Sequence, residues 1–273
     1  MSVKAFLINK ANLHMSETTT LQFDHCCLQL SNVESNGLLQ DFVGQHSDKQ
    51  IEEVSQIDLH LNVTDNGFEL LWYRDAGKPL SLHIEINKLI AQLRSFPAPK
   101  QGAFNQALGK KTQNVIDATG GWGGDALLMC LQGYRVKVLE RHPLMALMLS
   151  EAMQRLGRTQ WARQYQVIAP TVVHSNAIEY FKQADDLTEI DCVYLDPMFP
   201  PKKKKSAATN KNMQFLQWLL EHDHDADQLL ESVVKSGAKR IAVKRPDYAQ
   251  PLYCKPSTQF SSKLVHYDVY LAN

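Results

Sequence analysis

The stretch Asn114-Val115-Ile116-Asp117-Ala118-Thr119-Gly120-Gly121-Trp122-Gly123-Gly124-Asp125-Ala126 constrains this chain most, because an apolar run, a glycine-rich turn and a helical pattern follow without a spacer. Glycine takes positive φ at no steric cost, so such a turn brings backbone close to a ligand. Amides exposed at the start of the following helix favour an anionic group there. Val115-Ile116 reads as a strand, residues 125 to 132 as a helix closed by Gly133, and Val136 to Leu139 as a second strand. That is a βαβ unit. The alternation continues with a helix from Pro143 to about Leu156 stopped by Gly157, a strand Thr171 to His174, a helix 177 to 184 and a strand Asp191 to Leu195. A longer helix, Met213 to about Val234, then leads to a strand Arg240 to Val243 and a last strand Leu264 to Leu271. Strands alternating with helices predict a parallel sheet with helices on its faces, a Rossmann-like α/β domain.

Ahead of this domain the chain has a different texture. Residues 1 to about 80 are polar, with short alternating runs such as Leu28-Gln29-Leu30 and Asp58 to Val63, and Asp65-Asn66-Gly67 has the chemistry of a two-residue hairpin turn. Pro97-Ala98-Pro99-Lys100-Gln101-Gly102 interrupts a helical pattern over residues 86 to 95, and Ala103 to Leu108 resumes one. These patterns predict a small α+β domain over residues 1–85 and the Rossmann-like domain over residues 86–273.

The formal net charge of zero hides a dipole: residues 1 to 85 carry 5 Lys/Arg against 12 Asp/Glu, and the remainder carries 24 against 17. A polyanion is therefore drawn to the second domain and repelled by the first. Five cysteines, with neither C-x-x-C spacing nor paired histidines, predict reduced thiols and no structural zinc or other metal site. No run approaches the roughly 18 apolar residues of a membrane span, and the start Met1-Ser2-Val3-Lys4 lacks a signal core, so a cytoplasmic protein is expected.

Gly121, Gly123 and Ala126 satisfy the dinucleotide fingerprint G-x-G-x-x-G/A formally. Asp117 at the strand end and Asp125 at the helix start would repel a pyrophosphate, however, and they suit a sulfonium cofactor whose amino-acid end carries an ammonium group. Glu140, at the tip of the second strand, is placed to accept hydrogen bonds from two ribose hydroxyls, with Arg141 beside it as an ion-pair alternative. At the same sheet edge Asn176 and Ala177 offer a side-chain amide and a backbone amide to an adenine rim, and Asn176 also suits a helix N-cap.

The fourth strand ends in Tyr194-Leu195-Asp196-Pro197-Met198-Phe199-Pro200-Pro201, a variant of the Asp/Asn-Pro-Pro-Phe/Tyr motif that acts on planar amino groups. The lone pair of an exocyclic base amine is delocalised into its ring, so catalysis must hold the amine in a pyramidal, in-line arrangement. The Asp196 carboxylate and Pro197 carbonyl can accept the two amine protons, and Phe199 can stack on a flipped base. Lys202-Lys203-Lys204-Lys205 follows at once and is suited to grip phosphates, with Lys244 and Arg245 as further candidate contacts. A cysteine nucleophile finds no Pro-Cys here, so amine methylation leads.

These stretches, together with Leu139-Glu140-Arg141 and Val243-Lys244-Arg245-Pro246-Asp247-Tyr248-Ala249, resemble the small-subunit ribosomal RNA guanine-N2 methyltransferases of the RsmJ type over most of residues 85 to 252. Met198 is a feature of that family. The resemblance implies a class I S-adenosylmethionine-dependent fold and methylation of a guanine N2 near the 3′ end of 16S rRNA. It further implies cofactor contacts at Gly124, Asp125, Glu140, Arg141, Asn176, Ala177 and Asp196. The family has arginine at the position of Gly124 and a serine pair at Asn176-Ala177, so those contacts pass to the backbone here. The partner expected on this basis is 16S rRNA or the small ribosomal subunit. Another amino acceptor, adenine or a protein glutamine, and a non-catalytic RNA-binding relative are the competing readings.

Overall fold

The computed structural model describes residues 18–23, 26–52, 56–74, 77–91, 93, 95–184, 186–197, 211–220 and 225–272. The chain divides between Leu82 and His83 into two compact units.

In the first unit, strands β1 (Thr18–Phe23), β2 (Cys26–Ser31), β3 (Leu59–Thr64), β4 (Gly67–Trp72) and β5 (Leu80–Leu82) form one sheet in sequence order. All neighbours are antiparallel except β2 and β3, which run parallel. A parallel pair needs a crossover, and helix α1 (Gly37–Gln45) lies within it, started by Asn36, whose Oδ1 accepts from the Leu39 amide at 3.2 Å. A hairpin joins β3 to β4 as expected, but its two-residue connection is Asp65-Asn66, and positive φ falls only on Gly67, the first residue of β4, at +99°. Leu21, Leu28, Leu30, Leu39, Leu59, Leu61, Leu70 and Leu82 are fully buried and make the core.

The second unit opens with α2 (Ile86–Ala91) and α3 (Gly102–Leu108). It continues through β6 (Asn114–Asp117), α4 (Gly124–Leu131), β7 (Arg135–Glu140), α5 (Pro143–Arg158), α6 (Gln160–Gln164), β8 (Thr171–His174), α7 (Ala177–Gln183) and β9 (Cys192–Leu195). Helices α8 (Lys211–Leu219) and α9 (Ala226–Lys235) precede β10 (Arg240–Pro246), β11 (Thr258–Ser261) and β12 (Val265–Leu271). The seven-stranded sheet has the order β11-β12-β10-β9-β6-β7-β8. From β10 to β8 every pair is parallel, while β12 is antiparallel to both its neighbours. Ile116, Leu139, Val193, Leu195, Ile241 and Val243 of the strands pack with Phe181, Leu230 and Val233 of α7 and α9.

Strands β7 and β8 lie on one side of β6, and β9 lies on the other. That reversal opens a crevice beyond the carboxyl ends of β6 and β9, where sheets of this kind hold ligands.

Several sequence expectations need correction. Gly157 does not stop α5, which runs on to Arg158 until Thr159 turns the chain; the Thr159 hydroxyl then caps the unforeseen α6 by accepting from the Ala162 amide at 3.0 Å. Glycine inside a helix costs only about 1 kcal/mol against alanine and ends one chiefly at positive φ, which Gly157 lacks. The helix expected from Met213 to Val234 is two helices with Asp225 at the start of the second. Strand β11 was not foreseen; it pairs as an edge strand, and its burial alternates too weakly to be read. Cys130 and Cys192 are buried, as their apolar surroundings suggest, and burial pushes both thiols up to about 12. Among the described residues no helix is long and apolar enough to cross a membrane.

Candidate active site at the carboxyl edge of the large sheet

The glycine turn is shaped by its neighbours as much as by any ligand. Gly123 stands at φ +70° at the start of α4, and a Cβ there would lie 2.5 Å from Leu149 Cδ2 of α5. Gly120 is equally confined, with Val138 Cγ1 of β7 at 2.9 Å from an added Cβ. The turn is thus pressed against α5 and β7, and it leaves its other side open. Gly124 has nothing within 4 Å of a Cβ, so a side chain could begin here without a clash.

Two carboxylates brace this turn. Asp117 closes β6, is 2% exposed, and accepts from the Thr119 amide at 3.1 Å. Glu140 closes β7 and is likewise buried, with Oε2 accepting from the Gly121 amide at 2.7 Å and Oε1 from the His142 amide at 2.8 Å. Burial pushes the Glu140 carboxyl up, and these amides together with the Arg141 charge pull it back. The Arg141 guanidinium meets Asp225 at 3.0 Å, just ahead of α9. Asn176 caps α7 by accepting from the Ile178 amide at 2.9 Å, so its capping role is realised by the oxygen while its amino group stays outside that bond.

Across the crevice, the strand ends converge on a lysine. The Asp196 amide donates to the Thr119 hydroxyl at 2.7 Å, which ties the end of β9 to the glycine turn. Lys244 of β10 places its Nζ 2.8 Å from Asp125 Oδ2 and 2.9 Å from Asp196 Oδ2. Tyr194 of β9 donates its hydroxyl to the same Asp125 oxygen at 2.6 Å. Burial, with the charges of Asp125 and Asp196 behind it, lifts the Asp117 carboxyl to about 7 against the Thr119 amide. Burial also raises Asp196, against the pull of Lys244 and with the push of Asp125. For Lys244 burial works toward neutrality, and the two carboxylates overcome it and hold the ammonium more tightly than usual.

Asp117, Gly121, Gly123, Gly124, Asp125, Glu140, Arg141, Asn176, Ala177, Asp196 and Pro197 all line one cleft. Glu140 and Asp196 therefore open on the same hollow. Lys244 lines it too, with its ammonium committed to two carboxylates, whereas the sequence suggested a phosphate contact. Arg245 is 7% exposed and donates to the Gln250 carbonyl, a burial at odds with phosphate contact. Adjacent residues of a strand face opposite ways, which separates this pair. Phe199 and Lys202 to Lys205 lie outside the described residues.

The cleft also has walls that the sequence did not announce. Met213 and Leu216 of α8 and Leu229 of α9 supply apolar surface, and Trp122 donates its indole N–H to the Asn212 carbonyl at 3.0 Å. Thr119 and Tyr194 were visible only as parts of motifs. A hydroxyl beside a run of carboxylates is the signal that could have found them. Three acids near one lysine, an acid at the ribose position of the second strand and an apolar wall fit a cationic, ribose-bearing, adenine-bearing molecule such as S-adenosylmethionine.

A family model described as "Putative SAM-dependent methyltransferase" matches residues 45–272. The ribosomal RNA small subunit methyltransferase J of Shewanella piezotolerans is 34% identical over 216 residues, covering 77% of this chain and 79% of its own. Its counterpart in Aliivibrio fischeri is 34% identical over 221 residues, covering 77% and 85%. Among solved structures, a SAM-dependent methyltransferase from Neisseria gonorrhoeae superposes with a TM-score of 0.62 at 22% identity, covering 90% of this chain and 95% of that one. That likeness establishes a shared class I methyltransferase fold.

Proposed function

The chain belongs to the SAM-dependent methyltransferases and, among them, to the ribosomal RNA small subunit methyltransferase J family, and from that premise we propose that it methylates the exocyclic N2 of a guanine in 16S rRNA. The observation that carries this reading is the shared cleft: an acid suited to ribose, Glu140, and an acid suited to a base amine, Asp196, open on one hollow.

S-adenosylmethionine supplies an electrophilic methyl group when bound. Glu140 would hold its ribose, because each carboxylate oxygen, already accepting one amide, keeps a second lone pair for a hydroxyl. Asp117 and Asp125 would face the ammonium end, and Asn176 with the Ala177 amide would meet the adenine rim. Guanine N2 carries two protons and a delocalised lone pair. Asp196 and the Pro197 carbonyl accept those protons, which draws the nitrogen toward a pyramidal shape and aims its lone pair at the methyl carbon. The same acceptors stabilise positive charge developing on the amine. Phe199 would stack on the extruded base, and Lys202 to Lys205 would hold flanking phosphates. We place this activity in the cytoplasm, on 16S rRNA or the small subunit that contains it.

The direct test is incubation with methyl-labelled S-adenosylmethionine and either small-subunit particles or naked 16S rRNA, followed by nucleoside analysis. N2-methylguanosine is the expected product. Label in N6-methyladenosine or in protein would redirect the assignment to another amino acceptor, and no label in any acceptor would point to a non-catalytic relative.

A further inference from the structure

Lys244 is the strongest feature that the sequence did not explain. Its side chain is one-quarter exposed and its ammonium lies between Asp125 and Asp196 at 2.8 and 2.9 Å. Neither partner is near it in sequence; they sit 119 and 48 positions away on α4 and at the end of β9. We propose that Lys244 is a positioning residue that fixes the Asp196 carboxylate in place and keeps it ionised for the methyl acceptor, a role that rests on the functional reading above.

Asp196 is asked to be a hydrogen-bond acceptor while surrounded by groups that favour its protonation. The groups facing it are Asp125 on α4, Asp117 on β6, Tyr267 on β12 and Lys244 on β10, with the Tyr194 hydroxyl held on Asp125. Of these, Lys244 alone carries positive charge. It also bonds one oxygen of Asp196, Oδ2, which restricts rotation of the carboxylate at the wall of the cleft. A second restraint comes from the main chain, where the Asp196 amide is tied to Thr119.

The reaction needs that negative charge. As the bond from guanine N2 to the methyl carbon forms, the sulfur–carbon bond breaks and its electron pair stays on sulfur. The positive charge passes to the amine, which returns to neutrality by losing a proton. Asp196, at the wall of the cleft, can take it and release it to solvent. A carboxyl group already protonated could neither accept the amine hydrogen bond nor remove that proton.

The test replaces Lys244 by Met and by Arg and measures kcat, KM and the pH profile with RNA and with S-adenosylmethionine. Lys244→Met is expected to lower kcat by about 100-fold, in the range seen for loss of one electrostatic contact to a reacting centre, with both KM values within about threefold. The acid limb of its kcat profile should move to higher pH, since Asp196 loses the one cation paired with it among the described residues. Lys244→Arg should restore much of the rate and return the limb. Asp125→Asn, assayed at saturating cofactor, should move the limb the opposite way, and it serves if the Met variant fails to fold. A Lys244→Met enzyme with full kcat but weaker RNA binding and a salt slope reduced by about one would make the lysine a phosphate contact and overturn the proposal. Loss of kcat with an unmoved acid limb would overturn it equally. If the wild-type protein methylates an acceptor other than guanine, the functional reading fails, and the same series on that acceptor still decides the role of Lys244.

Discussion

The two sheets bury different things. Among described residues the five-stranded sheet and α1 enclose leucines, with Ser31 the single buried polar residue, whereas the larger unit buries Asp117, Glu140, Arg245, His266 and Asp268. A buried charge costs free energy unless hydrogen bonds or an opposite charge compensate it, and a leucine core has no such cost. The smaller unit is built for cohesion. The larger one holds acids at a sheet edge, where cohesion alone would not put them. Substitutions at the two sheets should therefore act on different properties of the protein.

The largest expected effect is at Asp196. Asp196→Ala should lower kcat by about 1000-fold through loss of amine positioning, with little change in melting temperature. A near-normal rate in single-turnover assays would make that edge as structural as the small sheet. Leu61→Ala, at a fully buried position in β3, should have the reverse profile. Denaturant unfolding should register a loss of about 2–5 kcal/mol, while isothermal titration finds cofactor affinity unchanged.

A smaller effect follows from Asp117, whose folded carboxyl sits at about 7 against an ordinary 3.8. Folding favours its protonated form, so its contribution to stability is fullest below 3.8 and is lost as pH rises through about 7. The same ionisation should strengthen binding of a cationic cofactor. Affinity for S-adenosylmethionine is expected to rise by less than about tenfold between roughly pH 6 and pH 8, and Asp117→Asn should flatten the rise. Equal slopes in both proteins would detach Asp117 from the cofactor. The mildest change is expected from replacing Lys202 to Lys205 by serine. RNA binding should weaken with a shallower salt dependence and an unchanged cofactor affinity, measured by filter binding across a salt series.

What could be read from the sequence was local. The glycine turn declares itself because strand, positive-φ residues and helix start are contiguous, and the Asp65-Asn66-Gly67 hairpin is legible for the same reason. Glu140 and Asp196 could be singled out because each sits at a strand tip, on the edge where sheets of this kind hold ligands, and both line the one cleft. The ion pairs of Lys244 were not legible, because a lysine in a basic string looks like surface until the partners far away on α4 and β9 are brought to it. The Tyr194 hydroxyl escaped likewise: within an apolar strand its ring resembles core, and only the fold turns its oxygen toward Asp125. The parallel pairing of β2 with β3 also depends on a long connection, and short alternating runs do not reveal which neighbour they choose. In the stretch from Met213 to Val234, apolar spacing stays helical on both sides of the break, so periodicity alone does not show it.

Glu140 grips the Gly121 amide with one oxygen and the His142 amide with the other. The residue proposed to clasp a sugar is therefore also a strut of the glycine turn. Shortening or neutralising it would slacken the loop before any cofactor arrived. A drop in affinity measured for such a variant would mix a missing handhold with a sagging frame, and a 2′- or 3′-deoxy analogue offered to the intact protein would weigh the handhold by itself.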